Sequence, residues 1–275
     1  MGCTLPKCAV INDLSGFGRC SLTVTIPILS AMGIQTCPLP TAILSNHTGY
    51  DNFYFADFTQ HMREYYSKWD ELNLSFDAIY TGFLGNAQQI EIILDFIDKF
   101  KSEKTLLFVD PVMGDNGDIY ATYDKNLCSE MRRLVARADI ITPNLTEACI
   151  LAGVPYIDGP AVREKIFSVG EALVEMGPRT VIITGVKSGD KVMNFVVTRE
   201  NNERFCETTD FIAQSYCGTG DVFASLMCGY LMRGMPQREA LRKTTELLVR
   251  IIRYSDENDV PPLDGIAFEG FLKEL

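Results

Sequence analysis

Residues 216 to 234, YCGTGDVFASLMCGYLMRG, set a small polar loop against a long apolar run. Gly218 and Gly220 admit backbone angles closed to other residues, so consecutive N–H groups can turn toward one point. Behind them Val222, Phe223, Leu226, Met227, Tyr230 and Leu231 recur at spacings of three and four, which predicts a helical apolar face, and Gly234 and Pro236 end it. A helix N-terminus adds unpaired donors and partial positive charge, and both suit a phosphate. Asp221 is the odd member, because a carboxylate beside an anion site repels phosphate. It makes sense there if it removes a proton from a nucleophile attacking that phosphate. An N-cap aspartate after an ordinary glycine turn would carry the same letters.

Phosphoryl transfer also needs charge or metal around the moving group and an aligned acceptor. Polar segments that can supply them follow the short apolar runs of the chain: NDLSGFG from residue 12, SNHTGY from 45, TGFLGN from 81, DPVMGDNGD from 110, TPNLTEA from 142 and TGVKSGD from 184. Asp110, Asp115 and Glu147 can hold Mg²⁺ through water, since this hard ion takes oxygen ligands and keeps much of its hydration. Asn144 can bond phosphate or a metal-bound water. Asp221, with an ordinary aspartate value of about 3.9, would be a weak base that accepts its proton late. DNGD at 115 to 118 also has the composition of a plain turn, and Lys187 reads as a solvated strand-end lysine.

These groups need a scaffold that brings loop ends together. The runs Ala9 to Ile11, Ala78 to Tyr80, Leu106 to Val109, Ile140 to Ile141 and Val181 to Ile183 alternate with helical spacing over 87 to 101, 124 to 137 and 161 to 177. The alternation predicts an α/β fold with a mainly parallel central sheet and helices on both faces, its ligands at the carboxyl ends of the strands. Residues 191 to 209, around Asn201-Asn202, read as an antiparallel hairpin at the far side of the sheet. Residues 33 to 60, rich in proline, threonine and aromatics, are either strands or a lid. With 275 residues and neither repeat nor linker, the expectation is one domain over 1 to 275.

A net charge of −11 argues against nucleic acid or an anionic membrane as partner. Nine cysteines with no Cys-x-x-Cys pair, and two histidines, favour neither a disulfide framework nor a zinc site, and point to a reducing cytoplasm. No segment approaches the roughly 18 apolar residues of a membrane span, and no secretory leader pattern opens the chain.

SNHTGY, DPVMGD, ITPN with Glu147 three residues after Asn144, and GTGD occur in the order and at the separations seen in pyridoxal kinases of the ribokinase-like superfamily, which this sequence resembles over most of its length. The resemblance implies a ribokinase-like three-layer fold and ATP-dependent phosphorylation of the 5′-hydroxymethyl of a B6 vitamer, with Mg²⁺ and often K⁺, in a homodimer. By motif, Asp221 resembles the base, and Gly218, Thr219 and Gly220 the anion hole. Asp110, Asp115, Asn144, Glu147 and Thr184 resemble the nucleotide and metal side. Ser45, His47, Thr48 and Tyr50 resemble the wall that receives the pyridine ring, and Phe83 stands where some pyridoxal kinases carry Tyr.

The opening departs from the pattern. Many members place Ser-His after the first strand, whereas Asn12 and Ser15, expected on the substrate side, sit here in a segment similar to the opening of hydroxymethylpyrimidine kinases. Those enzymes usually carry Cys at the base position, where this chain has Asp221; its own cysteine, Cys217, precedes the loop. Cys217 reads either as a small buried hydrophobe or as a thiolate able to meet the aldehyde of pyridoxal. A hydroxymethylpyrimidine kinase, and a vitamer-binding protein without turnover, are the alternatives. His61 and the acidic stretch 255 to 260 read as surface.

Overall fold

The computed structural model describes residues 5–120, 125–157, 163–200, 202–212 and 215–275. In chain order the first elements are β1 (Lys7–Ser15), α1 (Ser21–Ala31), β2 (Gln35–Leu44), β3 (Phe55–Asp57), α2 (Thr59–Glu71), β4 (Ala78–Thr81) and α3 (Ala87–Phe100). Next come β5 (Leu106–Val109), the short strands β6 (Gly114–Asp115) and β7 (Asp118–Ile119), α4 (Lys125–Val135), β8 (Ile140–Ile141), α5 (Leu145–Ala152) and α6 (Arg163–Glu175). β9 (Thr180–Ser188), β10 (Lys191–Thr198), β11 (Arg204–Asp210), α7 (Thr219–Met232) and α8 (Gln237–Glu257) complete the set. The chain forms two compact units, one from Met1–Gly82, Phe96–Thr105 and Ile212–Leu275, the other from Phe83–Asp95 and Leu106–Phe211.

In the first unit the strands run β4-β1-β2-β3, with β1 parallel to both neighbours and β3 antiparallel to β2. The stretch that read as strands or lid is therefore β2 and β3 with a loop between them. β1 is buried through Cys8, Ala9, Val10 and Ile11, as a strand covered on both faces should be. Its register against β2 shifts between Asn12 and Leu14, the kind of irregularity that re-aims side chains at the end of a strand.

One correction concerns α7. Its spacing of three and four suggested a helix with one buried face, yet burial runs unbroken from Val222 to Tyr230. Gly229 explains part of it, since a Cβ there would lie 2.1 Å from the Met32 sulfur next to α1. The missing side chain lets α1 and α7 pack closely, and Ser225 donates to the Thr25 hydroxyl at 3.0 Å across the contact. That packing brings the N-termini of both helices to the end of β1.

In the second unit the strands run β5-β8-β9-β10-β11, parallel through β9, with the expected antiparallel hairpin of β10 and β11 closing one side. The α/β class with mainly parallel strands and flanking helices is the one expected. The helices expected over 87 to 101, 124 to 137 and 161 to 177 correspond to α3, α4 and α6; residues 124, 161 and 162, like Asn201, lie outside the described residues. Among the described residues no helix is long and apolar enough to cross a membrane.

Candidate active site

The first unit builds its site where β1 ends and α7 begins. Gly218 caps α7 in the left-handed region, at φ 72°, and a Cβ there would meet the Arg19 carbonyl oxygen. Thr219 donates its hydroxyl back to the Tyr216 carbonyl at 2.9 Å, which closes the loop. Gly220 departs from expectation. It lies inside the first turn of α7 without a positive φ, and a Cβ built on it meets nothing within 4 Å. Its lack of a side chain relieves no strain; it leaves open room beside the helix's unpaired amides. Asp221 follows in the same turn, half-buried.

At the end of β1, Asn12 is fully buried and wedged against Gly82, where a Cβ would come within 2.4 Å of its Nδ2. Its Oδ1 accepts the Asp13 N–H at 3.0 Å, and its Nδ2 donates to Asp221 Oδ1 at 3.5 Å. Ser15 is also fully buried, and its hydroxyl donates to Asp13 at 2.8 Å. Ser21, buried, opens α1 at φ 52°. Burial pushes the Asp221 carboxyl up to about 7; the neighbouring charges of Asp13 and Cys217 add to the rise, against the Ser21 and Asn12 donors. The expectation of a solvated aspartate with its ordinary value is thus corrected: burial in this pocket raises the carboxyl.

Cys217 sits half-buried ahead of the loop, its N–H on the Pro262 carbonyl at 3.0 Å. The neighbouring Cys20 thiol first, and then His47, hold Cys217 down at about 5 despite burial, while Cys20 is pushed far up. The His47 imidazole is raised, chiefly by Cys217. A second force opposes its charging: Nδ1 accepts the Gly49 amide at 3.1 Å while Nε2 meets the Leu263 carbonyl at 2.7 Å, a pattern that suits the neutral ring. Tyr50 donates to Asp264 at 2.8 Å, and its ring lies 4.8 Å from that of His47. Ser45 accepts the Tyr54 amide and donates to Asn46; Thr48 is exposed. The SNHTGY segment thus shapes a loop first, with His47 and Tyr50 tying it to residues 263 and 264.

The second unit gathers the residues expected on the nucleotide side. Asp110, 8% exposed, follows β5, and the Thr142 hydroxyl donates to it at 3.3 Å. Asn144 caps α5: its Oδ1 accepts the Glu147 N–H, and Glu147 returns a bond to the Asn144 N–H, a complete capping box. Asn144 Nδ2 also donates to the Gly114 carbonyl at 2.7 Å. The other Glu147 oxygen accepts the Met113 N–H at 3.0 Å. Burial pushes Glu147 up to about 8 against these amides. Asp115 is exposed beside a two-residue turn, Asn116 and Gly117 both at positive φ, so DNGD is a turn as its composition allowed. Thr184, half-buried on β9, bridges to Asn144, and Phe83 is half-buried.

Among the described residues no three His, Cys, Asp or Glu side chains converge as a metal cage. Mg²⁺ does not need one, since one or two carboxylates with waters and phosphate oxygens suffice. Asp110 fits such an ion, and Glu147, with both oxygens on amides, fits only through water.

The phosphomethylpyrimidine kinase family model matches residues 29–260. The chain belongs to that family. It is 28% identical to pyridoxal kinase PdxY of Corynebacterium diphtheriae over 88% of this chain and 87% of that one. It is 30% identical to a hydroxymethylpyrimidine/phosphomethylpyrimidine kinase of Staphylococcus aureus, covering 90% of this chain and 84% of that one. A Bacteroides thetaiotaomicron protein, described provisionally as a phosphomethylpyrimidine kinase and crystallised with pyridoxal, superimposes at a TM-score of 0.95 with 42% identity, over 98% of this chain and 96% of that one. The expected membership in the ribokinase-like kinases, beside the pyridoxal kinases, is met, and this phosphomethylpyrimidine kinase family member is an enzyme of the kinase class.

Three residues of the first unit were missed. Asp13 was readable as a second carboxylate beside Asn12. Ser21 and Cys20 carried no signal, since their roles depend on a left-handed residue and on the approach of α1 to α7.

Proposed function

We propose that this kinase transfers the γ-phosphoryl of ATP to the 5′-hydroxymethyl of a B6 vitamer, pyridoxal, pyridoxine or pyridoxamine, as one domain over 1–275. The observation that carries the reading is Asp221 in the first turn of α7, raised into the neutral range and preceded by the open backbone at Gly220. The relative crystallised with pyridoxal supports the choice of acceptor. In this mechanism the hydroxyl gives its proton to Asp221 as its oxygen attacks the γ-phosphorus, and the amides around Gly218, Thr219 and Gly220 receive the charge on the phosphoryl oxygens. Asn12 keeps the Asp221 carboxylate aimed. Ser45, His47, Thr48, Tyr50 and Phe83 face the ring, and Ser15 acts through Asp13.

Asp110, Asp115, Asn144, Glu147, Thr184 and Thr219 serve the nucleotide. Asp110 directly and Glu147 through water would hold Mg²⁺, which when bound neutralises phosphate charge. K⁺, a homodimer and a cytoplasmic location belong to the same proposal.

The second reading, a hydroxymethylpyrimidine kinase, is favoured by the matching family model and by the Staphylococcus relative. Phosphorylation of the three vitamers and hydroxymethylpyrimidine in parallel, with ATP and Mg²⁺ and products identified by mass, tests both. Turnover of a vitamer well above the pyrimidine is expected; the reverse order would assign the second reading, and binding without turnover would make the chain a vitamer-binding protein.

A further inference from the structure

The turn at residues 262 to 265 holds three separated segments of the first unit. The Pro262 carbonyl accepts the Cys217 N–H at 3.0 Å, ahead of the glycine loop. The Leu263 carbonyl meets His47 Nε2 at 2.7 Å, and the Asp264 carboxylate accepts the Tyr50 hydroxyl at 2.8 Å, both on the loop between β2 and β3. From the loop between β1 and α1, the Arg19 N–H donates to the Asp264 carbonyl at 3.0 Å, and its guanidinium reaches the Asp264 and Gly265 carbonyls at 3.3 Å and Glu269 at 2.6 Å. A Cβ on Gly265 would lie 2.8 Å from the Arg19 carbonyl oxygen, the atom that also confines Gly218, so the turn lies next to the glycine loop. Its backbone fixes it there, and the Asp264 side chain is left to act on Tyr50.

What these bonds hold is aromatic surface. His47, 8% exposed, is enclosed by two glycines: a Cβ on Gly18 would lie 2.4 Å from its ring and one on Gly49 2.9 Å. It offers support more than surface. The half-buried Tyr50 packs against it, with 4.8 Å between ring centroids, and beyond Tyr50 at 5.8 Å stands Phe17, 54% exposed. Two such side chains beside the glycine loop suit a flat heteroaromatic acceptor, because aromatic rings pair in offset or tilted stacks. A stacking surface of this kind is useful when its ring is already held in place before the ligand arrives, so that binding does not have to order it.

We infer that Asp264 is a positioning residue for the acceptor: it holds the Tyr50 ring in the pose that, with Phe17, stacks on the acceptor ring. The inference rests on the vitamer reading and on Tyr50 facing that ring. Asp264 touches no substrate in this arrangement; its carboxylate serves as the acceptor of one hydroxyl.

The test measures the dissociation constant of pyridoxine by calorimetry, and kcat and KM with ATP and Mg²⁺, in the parent enzyme, Tyr50→Ala, Tyr50→Phe, Asp264→Ala, Asp264→Asn and the double variant Tyr50→Phe/Asp264→Ala. Asp264→Ala is expected to weaken pyridoxine binding and raise its KM about ten-fold, the low end of what one hydrogen bond to a charged group is worth, with kcat and the KM for ATP within about two-fold. Tyr50→Phe breaks the same bond from the other side and should lose as much, so the outcome does not depend on how Asp264→Ala folds. The double variant should be no worse than either single one, because the two residues act as a unit. Asp264→Asn, whose amide oxygen still accepts the hydroxyl, should recover most of the loss. A purely structural Asp264 would lower the melting temperature and leave pyridoxine affinity in place. That result, parent-like affinity in Tyr50→Phe, or additive losses in the double variant would overturn the inference, while a large loss in Tyr50→Ala would keep Tyr50 on the acceptor. Parent-like affinity in Tyr50→Ala would overturn both, and a parent enzyme that binds no pyridoxine would overturn the vitamer reading and the inference with it.

Discussion

A Cβ on Gly218 would lie 1.8 Å from the carbonyl oxygen of Arg19, whereas one on Gly220, two residues later, meets open space. The two glycines of the loop therefore answer to different demands. Gly218→Ala must expel the chain between β1 and α1 and strain a φ of 72°, so folded yield and midpoint temperature should drop. Gly220→Ala adds a methyl inside a helical turn, where alanine is favoured over glycine by about 0.5 to 1 kcal/mol, so stability should hold or rise. The same methyl fills the room a phosphoryl group needs, and kcat should fall at least about ten-fold, the loss of one good anion contact. Thermal melts with steady-state kinetics on both variants decide it; an active Gly220→Ala enzyme would move the phosphoryl site elsewhere.

The raised Asp221 couples activity and stability in opposite senses. As the proposed base it works only when ionised, so kcat/KM should climb as pH rises through about 7. A carboxyl whose folded value exceeds its unfolded one adds stability below the ordinary carboxylate range and loses it as pH rises through about 7. The ligand-free enzyme should therefore melt lower at pH 8 than at pH 6, and Asp221→Asn should flatten that slope. Asp221→Asn should also keep ATP and vitamer affinity while losing about 10² to 10⁴ in kcat. A slope unchanged in the variant would show that Asp221 is not the titrating group.

Cys217 should be the first of the described cysteines to react. Cys37 and Cys206 are half-buried and pushed up by burial, and the remaining ones are buried, while Cys217 is held at about 5. Brief iodoacetamide treatment at pH 6, read by peptide mass, should label it ahead of the others. Cys20→Ala removes its strongest donor and should slow that labelling. Cys217→Ala should leave pyridoxine phosphorylation nearly unchanged, because pyridoxine has no aldehyde for the thiolate to meet; a collapse would give Cys217 a part in the transfer itself.

Much of this site was legible because its letters lie together. GTGD and the apolar run behind it place Asp221 at the head of a helix, and the pairing of Asn144 with Glu147 three residues later is a capping pattern as well as a motif. What stayed hidden depends on contacts between distant parts of the chain. His47 and Tyr50 find their partners at residues 263 and 264, more than two hundred residues away. That Gly218 is confined follows from where Arg19 lies, and part of the burial of α7 follows from Met32 filling the place of a Gly229 side chain. The environment of Asp221 was misjudged for the same reason: its neighbours Asn12, Asp13 and Ser21 arrive from β1 and α1.

Glu147 separates a structural duty from a metal one. Its two carboxylate oxygens each accept a backbone N–H, from Met113 at 3.0 Å and Asn144 at 2.8 Å, which pins the loop after β5 to the start of α5. Above about pH 8, where Glu147 is ionised, Glu147→Gln keeps the shape but turns one acceptor into a donor aimed at a donor. Leaving a buried amide unsatisfied costs about 1 to 3 kcal/mol, so the variant should melt measurably lower with or without Mg²⁺. Glu147→Ala should destabilise it further, because both amides lose their acceptor. If Glu147 also holds Mg²⁺ through water, Glu147→Gln should raise the Mg²⁺ concentration needed for half-maximal turnover several-fold while the KM for the vitamer stays put. A variant with parent-like melting would mean that the two amides find other partners, and the capping box would lose its place as the element that holds this loop.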